Sequence, residues 1–179
     1  MGVAINAPLL RAILKKDPTL ASIDFIAESQ ENMGFSENMY YQTRAAELAQ
    51  IDWTPAEKQA FCRQQFQAQH AHYEAHYPNA QFLLITRDAV PMGRLYFEQT
   101  SRELRLMEIT LDQPQRNQGV GGAISGALLA HAREQGIAMG LHVETFNPAK
   151  RLYERQGFKT VEVRGIYEYM RVEADASSA

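Results

Sequence analysis

The residues with the clearest chemical use form one run: Gln115, Arg116, Asn117, Gln118, Gly119, Val120, Gly121 and Gly122. Glycine has no Cβ, so a backbone built from it can approach a ligand closely. Where a helix follows, its first N–H groups lack internal partners and carry the positive end of the dipole. Such a turn receives phosphate. The flanking residues supply the elements. Residues 104–111 are apolar-rich with partial alternation and predict a strand. Residues 123–135 are rich in Ala and Leu, with Ile124, Ala127, Leu128 and His131 at helical spacing and Gly136 at a left-handed cap. The run is not a Walker loop, because Ala123 and Ile124 stand where Lys and Ser or Thr are needed. Nor is it a dinucleotide fingerprint, which needs glycine at the position of Ile124.

Composition bounds the rest. At 179 residues the chain is long enough for one domain with a buried core, and short for two. Charged residues make up 22% and the formal net charge is −3, so no nucleic-acid surface is expected. No apolar run approaches the ~20 residues of a membrane span. The first residues lack the basic start and apolar core of a secretory signal, which points to the cytoplasm. The single cysteine, Cys62, has no internal disulfide partner and reads as a small buried hydrophobe.

The elements that must position the glycine run follow in order. Residues 1–20 contain a short helical stretch ended by Asp17 and Pro18, and read as an N-terminal extension. Residues 22–28 alternate and predict the first strand. Ser36 starts a helix reaching residue 50. Thr54, Pro55 and Glu57 form an N-cap, a first-turn proline and an acid, opening a long helix through His76. Strands are predicted at 81–87, 93–99 and 104–111, and their short connections make an antiparallel meander. Residues 138–145 return through a helical crossover, so they should run parallel to 104–111. Asn147 and Pro148 open a last helix ending at Gly157, and residues 158–164 and 166–172 form a closing hairpin through Gly165. The fold class is α/β in the α+β sense, a mixed, mostly antiparallel sheet with helices on both faces. One domain is expected over residues 21–173, with residues 174–179 a flexible tail.

The long helix carries His70, His72 and His76 beside Tyr73 and Tyr77. His72 and His76 share a face, as zinc ligands can. No acid follows in the HExxH arrangement and no third ligand is evident, so no metal is predicted.

The spacing Arg116-x-x-Gly119-x-Gly121 matches an (Arg/Gln)-x-x-Gly-x-(Gly/Ala) signature. A second run follows after one helix and one strand: Asn147, then Leu152 and Tyr153, then Gly157 and Phe158. Together the two runs resemble the GNAT N-acetyltransferases over residues 21–172. Gly93-Arg94-Leu95-Tyr96 and the Gln/His/Tyr helix resemble a bacterial-type subfamily without a known substrate. Gln113 departs from the family, which often has proline there; here Pro114 follows one place later. The resemblance implies a splay between the fourth and fifth strands and direct transfer of an acetyl group from acetyl-CoA to a primary amine in a ternary complex. It assigns the CoA pyrophosphate to residues 116–122, that is Arg116, Asn117, Gln118, Gly119, Val120, Gly121 and Gly122. It lays the pantetheine arm on the main chain of Ile109, Thr110 and Leu111, beside Asn147. Tyr153 contacts the cofactor and acts as general acid toward its sulfur. The acyl group, acetyl or longer, stays open. An inactive acyl-CoA-binding sensor or interaction module is the alternative.

For the base the reading favours Glu108, an acid in an otherwise apolar strand, with Glu103 acting through water as the alternative. Alternation places them on opposite faces unless a bulge intervenes. For the acceptor, Tyr40, Arg44 and Glu47 fall at i, i+4 and i+7 of the first long helix, and His72 recurs with Gln65, Gln69 and His76 on the second. Arg44 and His72 could hold a carboxylate and Glu47 an amine. That suits a small amine carrying an acid, or a protein N-terminus, better than a polyamine. A homodimer is compatible with this reading.

Overall fold

Among the described residues, seven strands form one sheet in the order β1-β2-β3-β4-β5-β7-β6. The structure, a computed structural model, describes residues 7–175. The strands are β1 (Ile23–Ala27), β2 (Ala80–Arg87), β3 (Val90–Gln99), β4 (Glu103–Leu111), β5 (Ala138–Glu144), β6 (Lys159–Arg164) and β7 (Tyr167–Val172). The helices are α1 (Ala7–Leu14), α2 (Met33–Leu48), α3 (Pro55–His76), α4 (Val120–Glu134) and α5 (Ala149–Gln156). The expected meander is present: β1 to β4 pair antiparallel in sequence. Between β2 and β3 the chain turns on Asp88 and Ala89, both with positive φ, so β3 begins before Gly93. The pair β4 and β5 is parallel, as a helical crossover requires. β7 inserts between β5 and β6.

One irregularity decides which side chains share a face. Tyr96 pairs with Glu108 and Phe97 with Leu106, leaving Met107 as the extra residue of a bulge in β4. Before the bulge, Leu104 and Leu106 enter the core; after it, Ile109 and Leu111 do. Glu103, Arg105, Glu108 and Thr110 therefore lie together on the opposite face. The two candidate bases, separated by simple alternation, come to one face of the sheet, Glu103 at the start of β4 and Glu108 beyond the bulge.

Two layers of helices cover the sheet. On the core side, Leu10, Ile13 and Leu14 of α1 join Ile124, Leu128 and Leu129 of α4 and Tyr153 of α5 around the inward residues of the strands. On the other side, Met39 and Leu48 of α2 and Cys62 and Phe66 of α3 are buried. The N-terminal extension read from the sequence thus supplies core residues, including Leu20 from the short 3-10 turn Pro18–Leu20. Each such buried side chain contributes about 1.5–3 kcal/mol relative to exposure.

Boundaries moved where tertiary contacts outweighed local signals. α2 starts at Met33 after Asn32, not at Ser36, because Ser36 is needed inside, where its hydroxyl donates to the buried Glu28 carboxylate. α3 follows its capping box: Thr54 accepts from Glu57 N–H and Glu57 accepts from Thr54 N–H. α4 starts at Val120, three residues before the Ala/Leu pattern begins.

Gly93 of β3 pairs with Leu111 of β4. An added Cβ would overlap the Thr110 carbonyl oxygen and stand 2.9 Å from Leu111 Cδ2. Gly93→Ala should therefore cost about 1–3 kcal/mol, read as a lower urea midpoint. An unchanged midpoint would show that the strands give way without cost.

Candidate active site

β4 and β5 pair only from Glu103 with Ala138 to Leu106 with Leu141. Beyond that point β4 stays with β3, and β5 stays with β7 through Glu144 and Tyr167. A mouth opens between them. Backbone groups of residues 107–111 that point toward β5 have no strand partner there, although the Leu111 carbonyl accepts from Arg116 Nε at 2.8 Å. Ile109, Thr110 and Leu111 thus line the mouth with main chain, while Arg116 is drawn back across the turn.

At the end of β4 the chain makes a 3-10 turn at Gln113–Gln115 and enters α4. Asn117 and Gly119 hold positive φ, +62° and +82°, and Gly119 is the N-cap. The first internal bond runs from Ala123 N–H to the Gly119 carbonyl at 2.9 Å. The N–H groups of Val120, Gly121 and Gly122 are therefore free of helical partners, the arrangement that attracts an anion. Gly122 has a second constraint, since a Cβ there would meet Leu152 of α5 at 3.3 Å. Gln118 is partly committed: its amide donates to the Pro114 carbonyl at 3.1 Å.

Across the mouth stand Glu144, Asn147 and Tyr153. Asn147 donates to Glu144 Oε2 at 2.9 Å and accepts from Ala149 N–H at 2.9 Å, so it fixes the start of α5 while facing the end of β5. Tyr153 is buried on the core side, edge-on to Phe158 at 5.9 Å. Burial, and then the charge of Glu144, pushes its hydroxyl up to about 12. It is protonated at neutral pH, as a donor must be.

The α2/α3 side of the mouth is polar beneath its rim. Glu108 Oε1 accepts from Arg94 Nη2 at 2.6 Å and from Thr110 Oγ1 at 2.9 Å. Arg94 has no exposed surface, lies over the Phe66 and Tyr96 rings, and leaves its Nε unpaired. Tyr96 donates to Glu28, which also receives Ser36 of α2 and meets His70 of α3 at 2.7 Å. Tyr73 lies near Glu108, and burial followed by that charge raises its pKa. On α2, Arg44 donates to Tyr40 at 2.9 Å and to Glu47 at 3.0 Å. Tyr167 lies between this trio and Glu144, all of which act on its hydroxyl after burial has raised it. His72 is exposed and stacks on His76 at 4.2 Å.

A family model described as an acetyltransferase (GNAT) domain matches residues 48–172. The chain belongs to the GNAT acetyltransferase family. No curated protein matches it. Among solved structures, PaiA N-acetyltransferase from Thermoplasma acidophilum, in complex with coenzyme A, is 16% identical over 85% of this chain and 99% of that one, with a TM-score of 0.62. An acetyltransferase from Thermus thermophilus is 15% identical over 85% and 97%, at a TM-score of 0.60. RimL, a ribosomal L7/L12 α-N-protein acetyltransferase in complex with coenzyme A, is 20% identical over 89% and 98%, at a TM-score of 0.56. These likenesses concern the fold.

In this GNAT chain the sequence brought forward Glu108, Tyr153 and the glycine turn, and missed Glu28, His70, Tyr73, Glu144 and Tyr167. A signal existed for two of them. Cys62, Phe66, His70, Tyr73 and Tyr77 recur at steps of four, four, three and four, the spacing of one helix face. That phase turns His70 inward and His72 outward.

The Arg94–Glu108 pair generates a stability prediction. Arg94→Met strands a mostly buried carboxylate and should cost about 3–5 kcal/mol in chemical denaturation. Arg94→Met combined with Glu108→Met should recover to within about 2 kcal/mol of the parent. A double variant as unstable as the single would mean that packing of the guanidinium, not its charge, holds the site.

Proposed function

We propose that this protein transfers the acetyl group of acetyl-CoA to the primary amine of an acceptor that also carries a carboxylate, a small amino acid or a protein N-terminus. The observation that carries the reading is the parting of β4 from β5 directly beside the free N–H groups of Val120, Gly121 and Gly122. That places a slot lined by main chain next to an anion-binding turn. The two features suit the two ends of a pantetheine–pyrophosphate arm.

In this mechanism the first-turn N–H groups of α4, with Asn117, Gln118 and Arg116 beside them, hold the pyrophosphate. Main chain of Ile109, Thr110 and Leu111 positions the arm, with Asn147 on the opposite bank. An N–H of β4 polarises the thioester carbonyl. The acceptor arrives from the α2/α3 side, where Arg44 with Tyr40 offers a donor pair for its carboxylate and Glu47 holds the group in place. Its nitrogen bonds to the carbonyl carbon as the carbon–sulfur bond breaks. Tyr153 gives its proton to the departing sulfur.

The amine's own proton goes to a carboxylate. Glu108 faces the acceptor side, but Arg94 occupies its Oε1, which suits it to holding positive charge. Glu144 has the neutral Asn147 amide as its partner. We assign the proton to Glu144 and leave Glu108 the ammonium. Because Glu108 and Glu47 both carry arginine partners, the groove is not strongly acidic and is a poor fit for a polyamine.

Calorimetry with acetyl-CoA and desulfo-CoA tests the donor site, and thiol release tests the acceptor over amino acids, peptides, polyamines and aminoglycosides. Absence of binding at millimolar donor would sink the proposal, and turnover of spermidine alone would sink the acceptor class. Tyr153→Phe should lower kcat about 100-fold or more while leaving acetyl-CoA affinity within about twofold. With its hydroxyl near 12, no alkaline decline in rate should occur below about pH 10. Glu144→Gln should lower kcat more than Glu108→Gln does. The reverse order would return the proton to Glu108.

A further inference from the structure

Exposed apolar side chains are unevenly placed. Of the nine large hydrophobic residues exposed among the described residues, five lie on the β6–β7 hairpin or the loop beside it: Phe146, Val161, Val163, Ile166 and Tyr167. Thr145 N–H ties that loop to the hairpin by donating to the Ile166 carbonyl at 2.8 Å. Apolar surface gathered in one place marks a contact with another molecule.

The two edges of the sheet are treated differently. At β1, Arg11 of α1 donates to the Phe25 carbonyl at 3.3 Å and to the Asp24 carboxylate, so a side chain occupies that edge. At β6 all six residues are exposed, and among the described residues no group outside β7 bonds to its main chain. A free edge is a template for another strand unless its side chains forbid the pairing.

Here the side chains select one pairing. Glu162 and Arg164 share rows with Tyr169 and Tyr167 on the α2/α3 face, and Val163 shares a row with Glu168 on the other. Two copies of β6 can pair antiparallel about a two-fold axis perpendicular to the sheet. Residues opposed across it must point to one face, so the axis passes through a residue. At Thr160 or Val161 it would fall on the bulge between Thr160 and Glu162. At Glu162 or Arg164 it sets like charges directly opposite, which is unfavourable. At Val163 it sets Glu162 of each copy opposite Arg164 of the other and brings the two valines together. Within one chain Arg164 donates to Glu162 at 2.7 Å, and both are exposed, so the four charges can close into one alternating ring.

We infer that β6 pairs with β6 of a second copy about Val163, and that the second copy contributes Lys159 to the acceptor side of each mouth. The paired strands run in opposite directions, so Lys159 of the second copy comes to the tip of the first copy's hairpin. Lys159 shares the α2/α3 face with Tyr167, which stands opposite Glu144. There its ammonium joins Arg44 in drawing a carboxylate. The role of Lys159 rests on the carboxylated acceptor under Proposed function; the pairing does not.

Sedimentation of the full chain from low to high micromolar concentration tests the pairing. The wild type should become a dimer. Glu162→Arg opposes arginine to arginine and Arg164→Glu opposes glutamate to glutamate, so each variant should stay monomeric with its Tm unchanged. Mixed in equal amounts, the two variants should form a heterodimer, because every opposed pair is again unlike. A monomeric wild type, a charge variant that still dimerises, or a mixture that stays monomeric would overturn the inference. In the thiol-release assay Lys159→Ala should keep the dimer and kcat, raise KM for a carboxylated acceptor about fivefold, and be rescued by Lys159→Arg. An unchanged KM would remove Lys159 from the site. Failure of every carboxylated amine to turn over would remove the acceptor reading and the Lys159 role together, while sedimentation decides the pairing by itself.

Discussion

The structure turns on β4 and β5 pairing for four residues and then parting. Backbone groups leaving a sheet need other partners, so a split persists only where its closed end is pinned and its open end is supplied. The closed end is pinned on the α2/α3 face. Glu103 accepts from Tyr169 and from Arg105 at 3.2 Å, and Arg105 lies over the Tyr77 and Tyr169 rings. Gly140 makes room for this cluster, since a Cβ there would collide with Glu103 and Tyr169. The open end is partly supplied by Arg116 on the Leu111 carbonyl. The Met107 bulge falls where the pairing stops, turning β4 away while keeping its apolar residues in the core.

The second layer is fastened by one carboxylate. Glu28, at the end of β1, gathers Ser36 of α2, His70 of α3 and Tyr96 of β3. Tyr96 in turn meets Arg94, and Arg94 meets Glu108. Such a chain adds little net stability over an apolar core of the same shape, because each charge gives up hydration. Its members must be present together, though, since removing one leaves another buried without a partner. The helices over the acceptor face are thereby set in one position relative to the strand that lines the mouth.

The strands, the crossover, the glycine turn and the Asn147 helix start were legible because each is written in local periodicity, a cap or a breaker. The bulge was not. Nothing in Leu106, Met107 and Glu108 distinguishes a bulged strand from a regular one, because the extra residue is defined by the neighbour it fails to pair with. Glu28 was hidden for a related reason. An acid at a strand end reads as a solvated terminus, and only α2 and α3 folding over it make it a hub. α4 was read three residues short because two glycines oppose helix propensity, while packing against Leu152 requires one of them. The N-terminal segment did carry a signal. Leu10, Ile13 and Leu14 fall at helical spacing on one face, and that face is buried.

The sheet itself separates the two proton transfers of the proposed reaction. Tyr153 belongs to the core side, with α4 and α5; Glu108 and Glu144 belong to the α2/α3 side. In that reaction the thioester lies at the mouth, between the two faces. The nitrogen then loses its proton on one face while the sulfur gains one from the other. Burial reinforces the arrangement by holding the Tyr153 hydroxyl protonated, and Glu144 adds to that effect through its charge. The same carboxylate that would take the amine's proton therefore helps keep the opposing acid loaded.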